Sequence, residues 1–327
     1  MPTRSFRALI LLFLLSLSTA ATAQTADKMF RIGFLAAAAS PAAIATKDTL
    51  AQLLAQRGFV SGRNLAIELR GADGKPERLP AVAKEMVASG VDVIVTTGFP
   101  AALAAKGATT TVPIVITNAG DPVDTGLAAS LSHPGGNVTG LSDMAAELSA
   151  KRLDLLKSAV PSLGKVAMLW NADDLGMTTR YRAAAAAAAT IGVTVQPLGV
   201  REPDDFASAF AAMDRDKPDG IMMVTDILTI LNRKRVFEYA AAHRLPAIYE
   251  FDFLARDGGL MAYGPDGKEM TTHVADLVER LLKGGKAADL PFEQPTQFRF
   301  VVNKKTADAL GFALPEALLA RADEVVE

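Results

Sequence analysis

The stretch that most constrains the fold is residues 91–127, VDVIVTTGFPAALAAKGATTTVPIVITNAGDPVDTGL, which predicts the order strand, turn, helix, strand, turn. Val91–Thr96 and Val112–Asn118 are short runs rich in β-branched apolar residues, which is typical of strands buried on both faces. Ala101–Ala108 continues as a helix between them. Two strands joined through a helix pair in parallel with a right-handed crossover. The turns that follow them therefore lie at the carboxyl ends of neighbouring strands, where open α/β sheets bind ligands.

The first of these turns has a chemical use of its own. Pro100 suits the first position of a helix, because its missing N–H costs nothing there. Phe99 is a poor N-cap, so the N–H groups that remain beside Thr97 and Gly98 are candidates to bind a carboxylate or phosphate at the positive end of the helix dipole. The alternative is that water or Thr97 Oγ1 satisfies these groups.

The same alternation of strand and helix occurs in two series, one on each side of a seam near Gly140, and predicts two doubly wound α/β lobes. The closing segments must return to one or both lobes, which makes a hinge of several crossings and places the ligand between the lobes. We assign residues 28–140 and about 259–285 to the N-terminal lobe. Residues 141–258 and about 290–327 form the C-terminal lobe, and Pro315–Val325 is expected to be a closing helix.

The N-terminus has the three parts of a secretory signal peptide. Arg4 and Arg7 form a positive region, Ala8–Leu17 is an apolar core too short to anchor a protein in a bilayer, and Ala21-Thr22-Ala23 precedes Gln24 as a cleavage site. We therefore expect residues 1–23 to be removed on export. The absence of cysteine excludes disulfides, thiolate metal sites and a lipid-anchor cysteine. A free protein of a Gram-negative periplasm fits these features.

Composition and motifs argue against several other classes of function. The formal net charge is −2 with both signs interspersed, and no basic patch with aromatics predicts nucleic-acid binding. Half of the residues are hydrophobic, as in a globular chain. The three histidines, His133, His243 and His273, have no metal-ligand spacing. We find no Walker A loop, G-x-S-x-G elbow or dinucleotide fingerprint, so we expect no cofactor, no metal and no catalytic residues.

Polar side chains stand at several predicted strand ends. Asp121 precedes Pro122 after one buried strand, and its carboxylate could receive a ligand amine or could cap the segment that follows. Asn171 and Asp226 follow two strands of the second series, and Tyr249 ends a third. These residues come from both lobes and would converge if the lobes closed.

At these positions the sequence resembles the periplasmic substrate-binding proteins of ABC importers, in the branch that includes tryptophan- and tyrosine-binding proteins. The matching stretches span nearly the whole mature chain: GFVSGRNLAIELR, GKPERLPAVAKEMV, VDVIVTTGFPAALAAK, GDPVDTGLAASLSHPGGNVTGLS, KRLDLLK, LPAIYE, GGLMAYGPD, LPFEQPTQFRFVVNKKTADALG and LLARADEVVE. The resemblance implies a type I periplasmic-binding-protein fold, with two Rossmann-like lobes joined by three crossing segments. It carries pocket-lining roles to TTGFPA (Thr97, Gly98, Pro100), Asp121-Pro122, Asp226 and Tyr249.

The function that these features favour is a binding protein without chemistry of its own. It would capture an amino acid or another small organic solute and hand it to an ABC permease in the inner membrane. The loop after the first strand, Ala36–Ala39, lacks the polar groups of amino-acid-binding members, so the ligand class stays open. Two alternatives remain, a ligand-sensing module for a membrane receptor and a two-lobed periplasmic enzyme. We expect a monomer that binds no nucleic acid.

Overall fold

The computed structural model describes residues 28–142 and 144–327, and the predicted signal peptide lies outside these ranges. The chain forms two parallel-rich sheets, and each sheet packs apolar clusters on both of its faces. This is the expected doubly wound arrangement, because helices cover both sides of each sheet. Within the described ranges, no helix combines the length and the apolar character needed to cross a bilayer.

The first lobe contains a five-stranded parallel sheet of order β2-β1-β3-β4-β5. Its strands are β1 Phe30–Ala36, β2 Leu65–Gly71, β3 Val93–Thr97, β4 Ile114–Thr117 and β5 Val138–Gly140. Its helices are α1 Pro41–Gln56, α2 Leu79–Ala88 and α3 Phe99–Ala108. The predicted strand–helix–strand unit is present, with β3 and β4 parallel and adjacent.

The second lobe contains a seven-stranded sheet of order β12-β11-β10-β9-β8-β6-β7, in which β10 and β11 are antiparallel and the other neighbours are parallel. Its strands are β6 Lys165–Asn171, β7 Thr194–Val200, β8 Gly220–Met223, β9 Ala247–Tyr249, β10 Met261–Pro265, β11 Phe298–Asn303 and β12 Glu324–Val326. The helices that follow β5 in the chain are α4 Ala145–Ala159, α5 Leu175–Thr190, α6 Asp205–Arg215, α7 Ile227–Leu231, α8 Arg233–His243, α9 Asp252–Arg256, α10 Gly267–Leu282, α11 Lys304–Leu310 and α12 Glu316–Leu319.

The chain passes between the lobes three times. The first crossing follows β5, the second lies between β10 and α10, and the third lies between α10 and β11. The first and third crossings pair, since Ser142 N–H donates to Glu293 O (2.9 Å) and Glu293 N–H donates to Gly140 O (3.0 Å). The second crossing joins the third where Asp266 N–H donates to Gln297 O (2.9 Å). The hinge therefore has the three segments that the family resemblance implied.

One part of the expected lobe division needs correction. The strand expected to begin the returning segment 259–285 belongs to the second lobe, because β10 pairs with β9 and β11. Only α10 belongs to the first lobe, where Val274, Leu277 and Val278 pack into the same cluster as Leu50 of α1. The crossing thus lies between strand and helix, at Pro265-Asp266, and not ahead of the strand.

The loop after β1 is short, because Ser40 Oγ accepts from Ala43 N–H and caps α1, with Pro41 in the first turn. One local prediction differs from the structure. The predicted helix over Pro315–Val325 ends at Leu319, and Glu324–Val326 forms an edge strand beside β11. Glu324 is held there by Arg256, with Oε1 to Nε at 2.9 Å, an ion pair between distant elements that sequence periodicity does not reveal.

Candidate ligand-binding cleft

The first lobe presents main-chain groups at the carboxyl ends of its strands. Ala36, Thr97 and Thr117 are in register at the ends of β1, β3 and β4. Gly98 precedes α3 with φ 85° and ψ 152°, a conformation essentially confined to glycine, and no side chain caps the helix. Gly98 N–H itself donates to Thr117 O at 3.0 Å.

The first turn of α3 therefore retains two main-chain donors. Pro100 has no N–H and lies at the second helical position, one residue later than expected. Ala102 N–H is the first to bond back into the turn, to Gly98 O at 3.2 Å. The donors without an intrahelical partner are thus Phe99 N–H and Ala101 N–H, at the positive end of a ten-residue helix.

Asp121 follows β4 and forms a turn. Its Oδ1 accepts from Val123 N–H (2.8 Å) and Asp124 N–H (3.0 Å). Pro122, the next residue, is buried. This is the capping role that the sequence left open as the alternative to ligand binding.

The second lobe presents buried carboxylates instead. Asn171 ends β6 and donates through Nδ2 to Asp226 Oδ2 at 2.6 Å, so the structure brings together two residues predicted from separate strands. Asp226 also caps α7, accepting from Thr229 N–H at 2.9 Å, while Thr229 Oγ1 accepts from Asp226 N–H. Both Asn171 and Asp226 are only 8% exposed. Burial raises the pKa of Asp226 above its ordinary value.

A second carboxylate of this lobe, Asp174, was not predicted from the sequence. It caps α5, accepting from Met177 N–H at 3.2 Å, and is almost completely buried. Burial, and then the charge of Asp226, raise the pKa of Asp174 to about 7, while the hydrogen bond from Met177 N–H and the charge of Arg180 act in the opposite direction. A site with two such carboxylates favours a ligand that brings a positive charge.

A buried ion network lies next to these groups. Glu250, the residue after β9, accepts from Arg152 Nη1 (3.1 Å), from Arg180 Nη1 (2.9 Å) and from Thr225 N–H (2.9 Å). Arg152 Nε also donates to Tyr263 O at 2.7 Å. The three charged side chains are between 2% and 4% exposed. The sequence analysis gave neither arginine a role, although charged residues in otherwise apolar helix faces were an available signal.

Tyr249 does not take the position expected for it. Its side chain is fully buried in the apolar cluster beside α8, edge-on to Phe237 with ring centroids 5.2 Å apart. It borders a groove of about 560 Å³ that includes Ala247, Gly259 and Val326. That groove lies at the amino ends of β9 and β10, whereas Asn171 and Asp226 lie at the carboxyl ends of their strands. Tyr249 was expected to line the ligand pocket, but alternation along the short strand β9 turns its ring into the core.

The two lobes meet beside the carboxylates. Arg180 Nη2 donates to Asn118 Oδ1 at 2.8 Å, which joins α5 to the loop after β4. Gly120 and Gly176 lie so close that a Cβ added at Gly120 would fall 2.9 Å from Gly176 Cα. A Cβ at Gly176 would lie 3.1 Å from Phe99 Cβ. The N-termini of α3 and α5 are therefore neighbours across the cleft.

A family model described as ABC transporter substrate binding protein matches residues 31–326. The chain belongs to this family. Its fold is that of type I periplasmic binding proteins, with two parallel-sheet lobes. The family consists of solute-binding proteins, which is the class that the sequence favoured over an enzyme.

Three relatives illustrate the similarity. The tyrosine-binding protein of Clostridioides difficile is 26% identical over 284 residues, covering 86% of this chain and 81% of the relative. A Streptococcus pneumoniae ABC domain in complex with L-Trp is 26% identical with a TM-score of 0.85, covering 91% of this chain and all of the other. A ligand-free, open substrate-binding protein from Clostridium difficile is 25% identical with a TM-score of 0.68, at 91% and 99% coverage. At equal coverage of this chain, the TM-score is higher against the L-Trp complex than against the open protein.

Proposed function

We propose that this protein is a periplasmic binding protein that captures a small zwitterionic solute of the amino-acid class between its lobes and delivers it to an ABC importer. The observation that carries the proposal is the placement of Asp226 and Asn171 beside Asp174 at the cleft. A buried carboxylate without a cationic partner is costly, and a ligand ammonium group supplies that partner. The exported location is supported by the signal-peptide pattern and the absence of a lipid-anchor cysteine.

The negative charge of the ligand is assigned to the first lobe. Phe99 N–H and Ala101 N–H would bind its carboxylate at the N-terminus of α3, with Thr97, Gly98 and Pro100 shaping the turn. Gly176 joins this turn to the carboxylates through its contact with Phe99. An ammonium and a carboxylate on one carbon, as in an α-amino acid, suit two subsites this close. The relatives that bind tyrosine or carry L-Trp support an aromatic side chain as the first to test.

Calorimetry with L-Trp and L-Tyr tests the ligand class. Tryptamine lacks the carboxylate and indole-3-propionate lacks the ammonium, so each should bind at least about tenfold more weakly than L-Trp. Asp226→Asn keeps a capping oxygen but removes the charge, and should weaken L-Trp binding by a similar factor. Asp173→Asn is the control, because Asp173 follows the neighbouring strand β6 but is 68% exposed and paired with Arg201.

Mass spectrometry of the ligand that co-purifies from native periplasm extends the test beyond these compounds, and an occupant without a cationic group would overturn the assignment. Intact-mass analysis of the exported protein should give an N-terminus at Gln24. Loss of ligand uptake on gene deletion supports delivery to an importer. Retained uptake with loss of a cellular response to the ligand would instead indicate the sensing alternative.

A further inference from the structure

The guanidinium of Arg180 bonds both lobes at once. Nη1 donates to Glu250 in the second lobe and Nη2 donates to Asn118 in the first, at 2.9 and 2.8 Å. Arg180 belongs to the second turn of α5, whose first turn carries the contact between Gly176 and Gly120. The interlobe hydrogen bond and the close backbone contact between the lobes therefore both involve α5.

The donor in this contact is also held by groups of its own lobe. Glu250 accepts from Arg152 and from Thr225 N–H as well as from Arg180, all within the second lobe. Arg152 also donates to Tyr263 O in β10, immediately ahead of the second crossing. Because Glu250 orients the buried guanidinium, little side-chain entropy is left to lose when Asn118 arrives.

The acceptor belongs to a loop with a restricted shape. Asn118 has φ 55°, a left-handed conformation that asparagine tolerates better than most residues, and Gly120 has φ 80°. Between them, Ala119 O would lie 2.8 Å from a Cβ at Gly176. The lobes can approach this closely only because both facing residues are glycines.

We propose that Arg180 is a positioning residue that, oriented by Glu250, stabilises the closed arrangement of the lobes through Asn118 even without ligand. Arg180 acts through the lobe equilibrium and not by contacting the solute. Part of the free energy for closure then comes from the protein, so the ligand needs to supply less of it. The inference rests on the proposed function, because it assumes that the cleft between the lobes binds the ligand. Its central test needs no ligand.

Interlobe distances in the ligand-free mature protein provide that test. The chain has no cysteine, so Glu77→Cys and Glu202→Cys introduce one spin label on each lobe without background. Both positions are exposed and follow strands that end at the cleft. Pulsed electron resonance should resolve a closed population in the parent. Asn118→Gly, which keeps the left-handed backbone, should lower the closed-to-open ratio by about tenfold, as expected for one charge-assisted hydrogen bond.

Gly176→Ala should abolish the closed population without lowering thermal stability, because alanine is favoured over glycine in a helix. Gly107→Ala in α3 is the control, since a Cβ there meets no atom within 4 Å, and it should leave the distances unchanged. The proposal would be overturned if the ligand-free parent showed open distances and no closed ones, or if Asn118→Gly had the same distance distribution as the parent. Failure of L-Trp and L-Tyr to bind would count against the proposed ligand class and leave this measurement unaffected.

Discussion

In the first lobe the cleft is lined mainly by main-chain groups, whereas the second lobe presents buried polar and charged side chains. The loops after β3 and β4 are rich in glycine, alanine and proline, and they present N–H groups and a close backbone surface. The ends of β6, β8 and β9 carry Asn171, Asp226 and Glu250, all buried. At the cleft, the first lobe therefore depends on the conformation of its backbone, and the second lobe depends on the pairing of its buried charges.

The largest effect is expected from breaking the charge network of the second lobe. Glu250→Ala leaves two buried guanidinium groups without their shared carboxylate, and removing one partner of a buried ion pair costs about 3–5 kcal/mol of unfolding free energy. Urea unfolding of the ligand-free protein measures this loss of unfolding free energy. Asp173→Ala is the control, because its pair with Arg201 is exposed and should contribute at most about 1 kcal/mol. Equal losses in the two variants would contradict the distinction between buried and exposed charge.

The buried carboxylate Asp174 should make the stability of the protein depend on pH. Its pKa is about 7 in the folded protein against an ordinary value of 3.8. Between these values the folded protein holds a proton that the unfolded chain has lost, so the unfolding free energy falls as pH rises, by at most about 1.4 kcal/mol per pH unit. Asp174→Asn and Asp174→Ser keep the cap and should remove this decline. Urea unfolding between pH 4.5 and 8 tests it, and a profile parallel to that of the parent would refute it.

The first lobe should respond to backbone substitution. Gly98→Ala forces a side chain into a conformation with φ 85° and ψ 152°, which costs about 1–3 kcal/mol. The turn before α3 should also distort, so affinity for the co-purified ligand should fall with the unfolding free energy. Gly107→Ala, in the same helix without such a constraint, should be neutral or slightly stabilising. If Gly98→Ala lost stability but kept its affinity, the turn would not be part of the binding site.

The smallest effect is expected at Asp121, where the two roles considered from the sequence can be separated. Asp121→Ala removes the acceptor of Val123 and Asp124 N–H and should lower the unfolding free energy by about 0.5–2 kcal/mol. Asp121→Asn keeps an acceptor oxygen and should be nearly neutral. The affinity for the ligand should change by less than about threefold in both variants. That limit corresponds to about half of the binding free energy of one hydrogen bond. A tenfold loss of affinity in Asp121→Asn would restore it as a ligand contact.

The sequence alone was sufficient to predict the two α/β lobes, the parallel pairing of β3 with β4 and the strand ends at which Thr97, Asp121, Asn171 and Asp226 lie. These features follow from short-range patterns, because apolar runs and turn residues determine local structure and handedness determines the crossover. The family match agrees with the resemblance carried by the same stretches.

Tertiary structure decided which of those strand-end residues meet, and which face the core. Asn171 reaches Asp226 across 55 residues of chain, and Arg180 reaches Asn118 across 62. Tyr249 turns into the core, although its place at the end of a strand resembles that of Asp226. β10 joins the second sheet because its partners β9 and β11 are there. Such contacts depend on strand order and side-chain direction in three dimensions, and no periodicity along the chain encodes them.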